Sequence, residues 1–138
     1  MPPFVHRLRV RYVECDMQGH VFNAHYFTWF DVANTEFWRE AIGSFSKINE
    51  AGIDVVVAEA GARYYAGAHF DEDIDVEVTS DPLTTSSMTT RYTVKRGDER
   101  LVEGFVRHVC VKLAVHTKEP WPDWVREAVA PYVQEFSP

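Results

Sequence analysis

The sequence lacks the features that membrane and secreted proteins need. Its 138 residues contain no uncharged apolar run of about 18 residues, the length that a membrane helix requires. The N-terminal MPPFVHRLRV has no apolar signal-peptide core. Only two cysteines are present, Cys15 and Cys110, and without an export signal we expect both to be free thiols. These absences predict a cytoplasmic protein that does not enter a membrane.

The charge balance argues against a general nucleic-acid binder. The formal net charge is −7, with 14 Lys and Arg against 21 Asp and Glu, whereas duplex binding relies on clustered cations that displace counterions. The local basic groups are Arg7/Arg9/Arg11, Lys95/Arg96 and Lys112/Lys118. An anionic ligand would have to be held by one such group and not by the overall field.

The patterns that are present predict one α+β domain spanning residues 1–138. A hydrophobic fraction of 46% argues against disorder, and no repeat, low-complexity tract or linker interrupts the chain. Residues 5–13 alternate as a strand with one apolar face. From Asn23 onward the apolar residues recur at steps of three and four, which predicts an amphipathic helix of about four to five turns ending at Gly43. This stripe contains Tyr26, Phe27, Phe30, Ala33, Phe37, Trp38 and Ala41.

Four more strands in antiparallel succession are predicted after this helix, over residues 53–65, 74–79, 88–94 and 101–115, with a hairpin turn at Gly97-Asp98. Residues 122–136 predict a short helix broken near Pro131. The last strand is apolar on both faces, so both faces of the sheet should be covered. One long helix can cover only one face. We therefore expect a second copy against the other face or an edge, giving a homodimer or possibly a tetramer.

The connection YVECDMQGHVFNAHYF, residues 12–27, carries more chemistry than a turn needs. The unpaired N–H groups at a helix start can hold an anion, or a carbonyl oxygen on which negative charge builds. Gly19 lets a ligand approach the backbone closely, and Asp16 precedes it. A carboxylate facing a carbonyl held in this way can attack it, or can activate a water that does. The pattern therefore predicts acyl transfer to water.

Structural explanations for the same residues stay open. Asp16 could be a turn residue, Asn23 a helix N-cap, and His20 a hydrogen-bonded loop residue. Glu14 would face the same side as Asp16 on an extended chain, where the like charge would raise one pKa. We expect Glu14 to support or shield the site and not to react.

A metal site is not predicted for this connection. The spacing of Cys15, Asp16, His20 and His25 fits no common zinc pattern such as C-x-x-C or H-x-x-x-H. Neighbouring residues on a strand point to opposite sides, so Cys15 should also face away from Asp16, which disfavours a cysteine triad. The sequence predicts neither a metal nor a redox cofactor.

The run Y-x-E-C-D-x-x-G-H-V-x-N-x-x-Y, with the strand before it and the helix after it, resembles the signature of hotdog-fold acyl-CoA thioesterases of the 4-hydroxybenzoyl-CoA thioesterase type. The segment RYYAGAHFDEDIDVEV, residues 63–78, resembles that family's second and third strands. The resemblance implies a five-stranded antiparallel sheet wrapped around one central helix, and dimers paired through their sheets. It also implies an acyl-CoA substrate, with coenzyme A present only as part of that substrate.

Carried over by position, the resemblance implies that Asp16 is the nucleophile or general base. It also implies that the backbone N–H of Asn23 polarises the thioester carbonyl. The expected substrate contacts are His20, Val21, Tyr26, Phe30, Gly67, Ala68, His69 and Phe70. In that family the segment 66–70 completes the site from the partner subunit, and Gly67-Ala68 stands here where the family usually has Pro-Ala.

Two other functions on the same fold stay open. A protein that binds acyl-CoA or an acylated carrier without reacting would not need Asp16. The enoyl-CoA hydratases of this fold have a motif in which Asp and His lie five residues apart and frame an Asn-Pro pair. Here Asp16 and His20 are four residues apart, with Met-Gln-Gly between them, which ranks the hydratase third.

Overall fold

A computed structural model of the chain describes residues 3–134. The order of elements in these residues is β1 (Phe4–Arg9), α1 (His25–Ile42), α2 (Ser46–Glu50), β2 (Ile53–Tyr64), β3 (Asp73–Ser80), β4 (Ser87–Arg96), β5 (Glu99–Lys112) and α3 (Asp123–Val129). Short 3-10 turns cover Tyr12–Glu14 and Ala130–Tyr132. The predicted terminal helix is therefore present and changes at Ala130 to a 3-10 turn that contains Pro131, while residues 135 and 136 of that prediction lie outside the described residues. Within residues 3–134, no helix combines the length and apolarity needed to cross a bilayer.

The strands form one antiparallel sheet in the order β1-β3-β4-β5-β2. β4 and β5 are joined at residues 97–98, and Gly97 has φ +61°, which confirms the predicted hairpin. The predicted succession of four strands is wrong for β2. It pairs with β5 and not with β3, so among the described residues it lies at the edge of the sheet with one side unpaired.

Helix α1 lies on one face of this sheet and buries the predicted apolar stripe. Phe30, Ala33 and Phe37 are fully buried, because their spacing places them on one side of the helix. Gly43 ends the helix with φ +90°, and its N–H donates to the Arg39 carbonyl at 2.9 Å, as predicted for a C-cap. The start of helix α1 differs from the predicted one.

The helix begins at His25 with Ala24 as its N-cap residue, and Ala24 has no capping side chain. The interpretation of Asn23 as an N-cap is therefore wrong.

A close packing of Phe30 against the sheet determines how deeply α1 sits. Its ring stacks on Tyr92 with the centroids 4.7 Å apart. A Cβ on Gly104 would lie 2.4 Å from the Phe30 ring, which no real side chain could tolerate. Glycine at position 104 is thus required for the helix to approach β5 this closely, and Phe30 belongs to the core.

The opposite, outer face of the sheet is charged. Pairs cross from strand to strand, with N–O distances of 2.8 Å for Arg7–Asp75, 3.0 Å for Arg9–Asp73, 3.1 Å for Lys95–Glu77 and 2.8 Å for Arg91–Asp81. The predicted cover on both faces was drawn from β5, where the consecutive residues Val109, Cys110 and Val111 are all buried; for the strands that carry these charged pairs it stays a prediction. These pairs also occupy several of the cations considered above as anion-binding groups.

Candidate active site

The connection between β1 and α1 folds into a small hairpin of its own. Cys15 forms an isolated bridge with Val21, the Asp16 N–H donates to the His20 carbonyl at 2.8 Å, and the Gly19 N–H donates to the Asp16 carbonyl at 3.0 Å. Gly19 has φ +81°, a conformation that glycine adopts without steric cost. The predicted strand over residues 5–13 is consequently too long, because β1 ends at Arg9 before this hairpin.

The hairpin is held against the segment 66–70 of the same chain. The Val21 N–H donates to the Ala68 carbonyl at 2.9 Å, and His20 bridges to His69. The Ala68 N–H in turn donates to the Tyr26 hydroxyl at 3.0 Å, which fixes the segment to the first turn of α1. A single chain therefore brings this segment to its own Asp16 loop, whereas the resemblance led us to expect it from a partner subunit.

A cleft of about 340 Å³ lies where the hairpin, the start of α1 and the end of β2 meet. Its lining comprises Asp16, Gln18, His20, Val21, Asn23, Tyr26, Tyr64, Tyr65, Ala66 and Gly67. Six of the predicted site residues are thus brought together: Asp16, His20, Val21, Asn23, Tyr26 and Gly67.

The other four predicted contacts do not line the cleft. Phe30 is buried in the core and Ala68 is fully buried behind the lining. Phe70 is 55% exposed and packs edge-on against Tyr12. His69 packs edge-on against His20, with the ring centroids 4.7 Å apart.

The carboxylate of Asp16 is partly buried and uses one oxygen for the fold. Its Oδ1 accepts the Gln18 N–H at 2.8 Å, a local bond that fixes the side chain relative to the turn. Among residues 3–134, no donor is paired with Oδ2. One carboxylate oxygen at the cleft therefore stays available to a substrate or a water.

The start of α1 offers unpaired backbone donors at the same cleft. The N–H groups of His25 and Tyr26 already donate to the carbonyls of Phe22 and Asn23. Those of Asn23 and Ala24 have no acceptor in the part of the chain that the structure describes. The Tyr64 hydroxyl donates to the Asn23 carbonyl at 3.0 Å, which ties the end of β2 to this helix start.

Glu14 faces the core and not the cleft. It is 3% exposed and accepts hydrogen bonds from Trp29 Nε1 at 2.7 Å and from the Arg11 backbone N–H at 2.8 Å. Burial raises the pKa of Glu14, but the bonds from Arg11 and Trp29 outweigh it, so the pKa lies below the ordinary value. The prediction that Glu14 and Asp16 share one side is wrong, because the 3-10 turn at residues 12–14 breaks the extended geometry.

The departure Gly67-Ala68 from the family pattern has a local cause. A Cβ at position 67 would lie 3.2 Å from the His20 ring, so a larger residue would require this exposed ring to shift slightly. Glycine therefore allows the two sides of the cleft to meet closely.

Sequence reasoning missed Gln18, Tyr64 and Tyr65, which also line the cleft, whereas Ala66 belongs to the predicted segment 66–70. The signal that could have found two of them is the tyrosine pair at the end of a predicted strand. For residues 3–134, no group of three His, Cys, Asp or Glu side chains is placed to hold a metal ion.

Comparisons with known proteins show the family and the fold of this chain. The family described as Thioesterase-like superfamily matches residues 10–129. The chain belongs to this family. The acyl-CoA thioester hydrolase YbgC of Escherichia coli is 32% identical over 106 residues, which cover 75% of this chain and 78% of that protein.

Solved structures show that the fold is shared over nearly the whole chain. A hypothetical protein from Aquifex aeolicus superposes with a TM-score of 0.86 at 29% identity, covering 92% of this chain and 99% of that one. A 1,4-dihydroxy-2-naphthoyl-CoA thioesterase from Synechocystis superposes with a TM-score of 0.84 at 19% identity, covering 92% of this chain and 95% of that one. At this low identity the similarity shows only a shared fold. The predicted hotdog fold and the resemblance to acyl-CoA thioesterases are confirmed.

Proposed function

We propose that this member of the thioesterase-like superfamily hydrolyses an acyl-CoA thioester to a free acid and coenzyme A. The observation that carries the proposal is the shared cleft, in which an available carboxylate oxygen of Asp16 and the unpaired N–H of Asn23 line one space. Family membership and an acyl-CoA thioester hydrolase relative support the same reaction class.

In this mechanism the thioester carbonyl accepts a hydrogen bond from the Asn23 N–H at the positive end of α1. Asp16 then attacks the carbonyl carbon or removes a proton from an attacking water. Negative charge collects on the carbonyl oxygen, where the backbone donor stabilises it, and loss of one such donor typically costs about 2.7–4 kcal/mol. Collapse of the tetrahedral intermediate breaks the C–S bond and releases coenzyme A, whose sulfur takes up a proton. If Asp16 is the nucleophile, water then hydrolyses the mixed anhydride on Asp16 to give the free acid.

Arg100 is our proposed contact for the coenzyme A phosphates, which would replace the ion pair that it makes with Glu103 at 2.8 Å. The Arg100 guanidinium lies 3.8 Å from the ring centroid of Tyr65, a lining residue. Both cysteines are free, as expected in a reducing compartment, and we place the reaction in the cytoplasm.

A homodimer through β2 is part of the same proposal. The strand has twelve residues, and within residues 3–134 its only partner strand is β5, so one row of its backbone groups is open to another strand. Val57 on this strand is 63% exposed. A second copy that pairs antiparallel along this edge would form a closed, isologous interface.

The test is a panel of acyl-CoA thioesters of different length and shape, with thiol release measured for the wild type and Asp16→Asn. We expect release by the wild type and a loss of about 10²–10⁴-fold in the variant. Asp71→Asn makes the same chemical change on an exposed loop outside the cleft and should keep full activity. Full activity in Asp16→Asn would contradict the mechanism. Tight binding of a non-hydrolysable thioester analogue without any thiol release would show a binding protein instead.

A further inference from the structure

Arg96, the last residue of β4, lies behind the segment 66–70, whose residues Ala66 and Gly67 line the cleft. It pairs with Glu72 and with Glu99, at N–O distances of 2.8 Å and 2.7 Å. Two carboxylates therefore already bind this guanidinium, which leaves it unsuited to hold an anionic ligand. Its contacts point instead to a role in the shape of the cleft.

A single nitrogen of Arg96 joins this wall of the cleft to the sheet. Nη1 donates to both oxygens of the Glu72 carboxylate, at 2.8 Å and 3.0 Å, and to the Gly67 carbonyl at 3.3 Å. The Glu72 carboxylate also accepts the His69 backbone N–H at 2.6 Å. Gly67 and His69, on either side of Ala68, are thus both held by one ion pair.

The Glu72 carboxylate is ionised at neutral pH. Burial raises its pKa, but the hydrogen bonds from the His69 backbone and from Arg96 outweigh burial, so this pKa lies below its ordinary value. The side chains of Arg96 and Glu72 are 29% and 27% exposed. Ion pairs with substantial exposure contribute little to global stability, so we do not expect this pair to decide the stability of the fold.

The segment held by this pair is bonded to both sides of the cleft. The Ala68 carbonyl accepts the Val21 N–H at 2.9 Å, which holds the hairpin that carries Asp16. The Ala68 N–H donates to the Tyr26 hydroxyl at 3.0 Å, which ties the same residue to the first turn of α1. Ala68 is therefore a shared link between the carboxylate and the helix start.

The Arg96–Glu72 pair lies close to this link. Burial raises the pKa of Tyr26, and the charges of the pair act on the same hydroxyl, Arg96 lowering that pKa and Glu72 raising it. Gly67 lies against the opposite wall, because a Cβ at this position would be 3.2 Å from the His20 ring. A small displacement of the segment therefore changes the width of the cleft.

Resting on the hydrolysis proposed above, we infer that Arg96 is a positioning residue for this reaction. It acts through Glu72 and the segment 66–70, and it fixes the Asp16 carboxylate relative to the N–H groups at the start of α1. Reaction rates depend on such near-attack geometry, and a displacement of about 1 Å can cost about 10²-fold.

The test is Arg96→Gln, assayed with the acyl-CoA thioester that the wild type hydrolyses fastest, at a temperature well below unfolding. We expect kcat for thiol release to fall by about 10–100-fold. KM should stay close to the wild-type value, because the lost interaction acts on the transition state and not on substrate binding. The urea midpoint should change little. A purely structural role would do the opposite, lowering the urea midpoint while kcat of the folded enzyme stays unchanged.

Arg91→Gln is the matched control, since Arg91 lies on the same strand and pairs with Asp81 at 2.8 Å on the outer face of the sheet. It should keep the wild-type kcat. Glu72→Gln should lower kcat as Arg96→Gln does. The double variant should lose less than the product of the two single effects, because both substitutions break the same ion pair.

An unchanged kcat in Arg96→Gln, while the wild type releases thiol, would overturn the inference and leave the proposed hydrolysis intact. An equal loss of kcat in Arg91→Gln would also overturn it, and so would fully multiplicative losses in the double variant. A raised KM with unchanged kcat would assign Arg96 to substrate binding and overturn the positioning role. Thiol release from none of the thioesters would refute the proposed function, and the inference with it.

Discussion

Glu14→Gln removes the charge that joins the Asp16 hairpin to helix α1. The Glu14 carboxylate uses Oε1 for the Arg11 N–H and Oε2 for Trp29 Nε1. Glutamine has one acceptor oxygen, so its amide N–H₂ must face one of these two donors. At least one buried, charge-assisted hydrogen bond is lost, and one N–H is left unpaired.

The expected loss follows from these contacts. A hydrogen bond to a charged group contributes about 1.5–3 kcal/mol, and an unpaired buried donor adds a further penalty. We expect Glu14→Gln to lower the free energy of unfolding by about 2–4 kcal/mol at pH 7. For a chain of this size that corresponds to a fall in Tm of roughly 10 °C.

The pH dependence gives the effect a second signature. The folded-state pKa of Glu14 lies below its ordinary value, so its contribution is fully present above the unfolded pKa of about 4.3. That contribution is lost as the pH falls through the folded value. The difference between wild type and Glu14→Gln should therefore shrink below about pH 4.3.

The assay is urea unfolding followed by tryptophan fluorescence at a series of pH values, at one protein concentration because self-association would change apparent stability. Glu50→Gln, an exposed glutamate on α2, is the matched control and should change stability by less than about 0.5 kcal/mol. Equal stability of wild type and Glu14→Gln at pH 7 would refute the reasoning. So would a difference that persists unchanged in acid.

Three further predictions follow from the same structure. Asp16→Asn retains an acceptor for the Gln18 N–H, so we expect its urea midpoint to match the wild type while thiol release is lost. Gly104→Ala should lower the free energy of unfolding by about 1–3 kcal/mol, because the new methyl overlaps the Phe30 ring. Adding Phe30→Leu should restore part of this loss. A double variant that is no more stable than Gly104→Ala would contradict the explanation. Val57→Lys should shift the protein toward monomer in sedimentation velocity, because charge on an edge strand opposes pairing; an unchanged sedimentation coefficient would remove β2 from the proposed interface.

Local periodicity predicted most of the elements because each has one face on the core. The helix stripe from Phe27 to Ala41 and the alternation in β3 and β4 both reflect burial against the same layer. The place of β2 beside β5 could not be predicted in this way. Strand order depends on pairings between distant residues, and no local period records them.

The site was predictable where its chemistry is local in sequence. Asp16, Gly19 and Asn23 lie within one short connection between β1 and α1, so their spacing alone indicated a carboxylate near a helix start. Tyr64 could not be placed, because its bond to Asn23 depends on how β2 is positioned relative to α1.

The predicted role of Phe30 failed for a related reason. A helical period groups the aromatic residues on one side of the helix. It does not separate those that border a groove from those pressed onto the sheet, and the contact with Gly104 decides this for Phe30.

The charged outer face of the sheet constrains how larger assemblies could be built. Stacking two such faces would strip water from the pairs Arg7–Asp75 and Arg9–Asp73 and from their neighbours on β3 and β4. Dehydrating paired ions costs free energy that their mutual attraction seldom recovers. Dimers that join into tetramers are therefore expected to meet through their helical sides, so that the charged outer face of the sheet stays in contact with water.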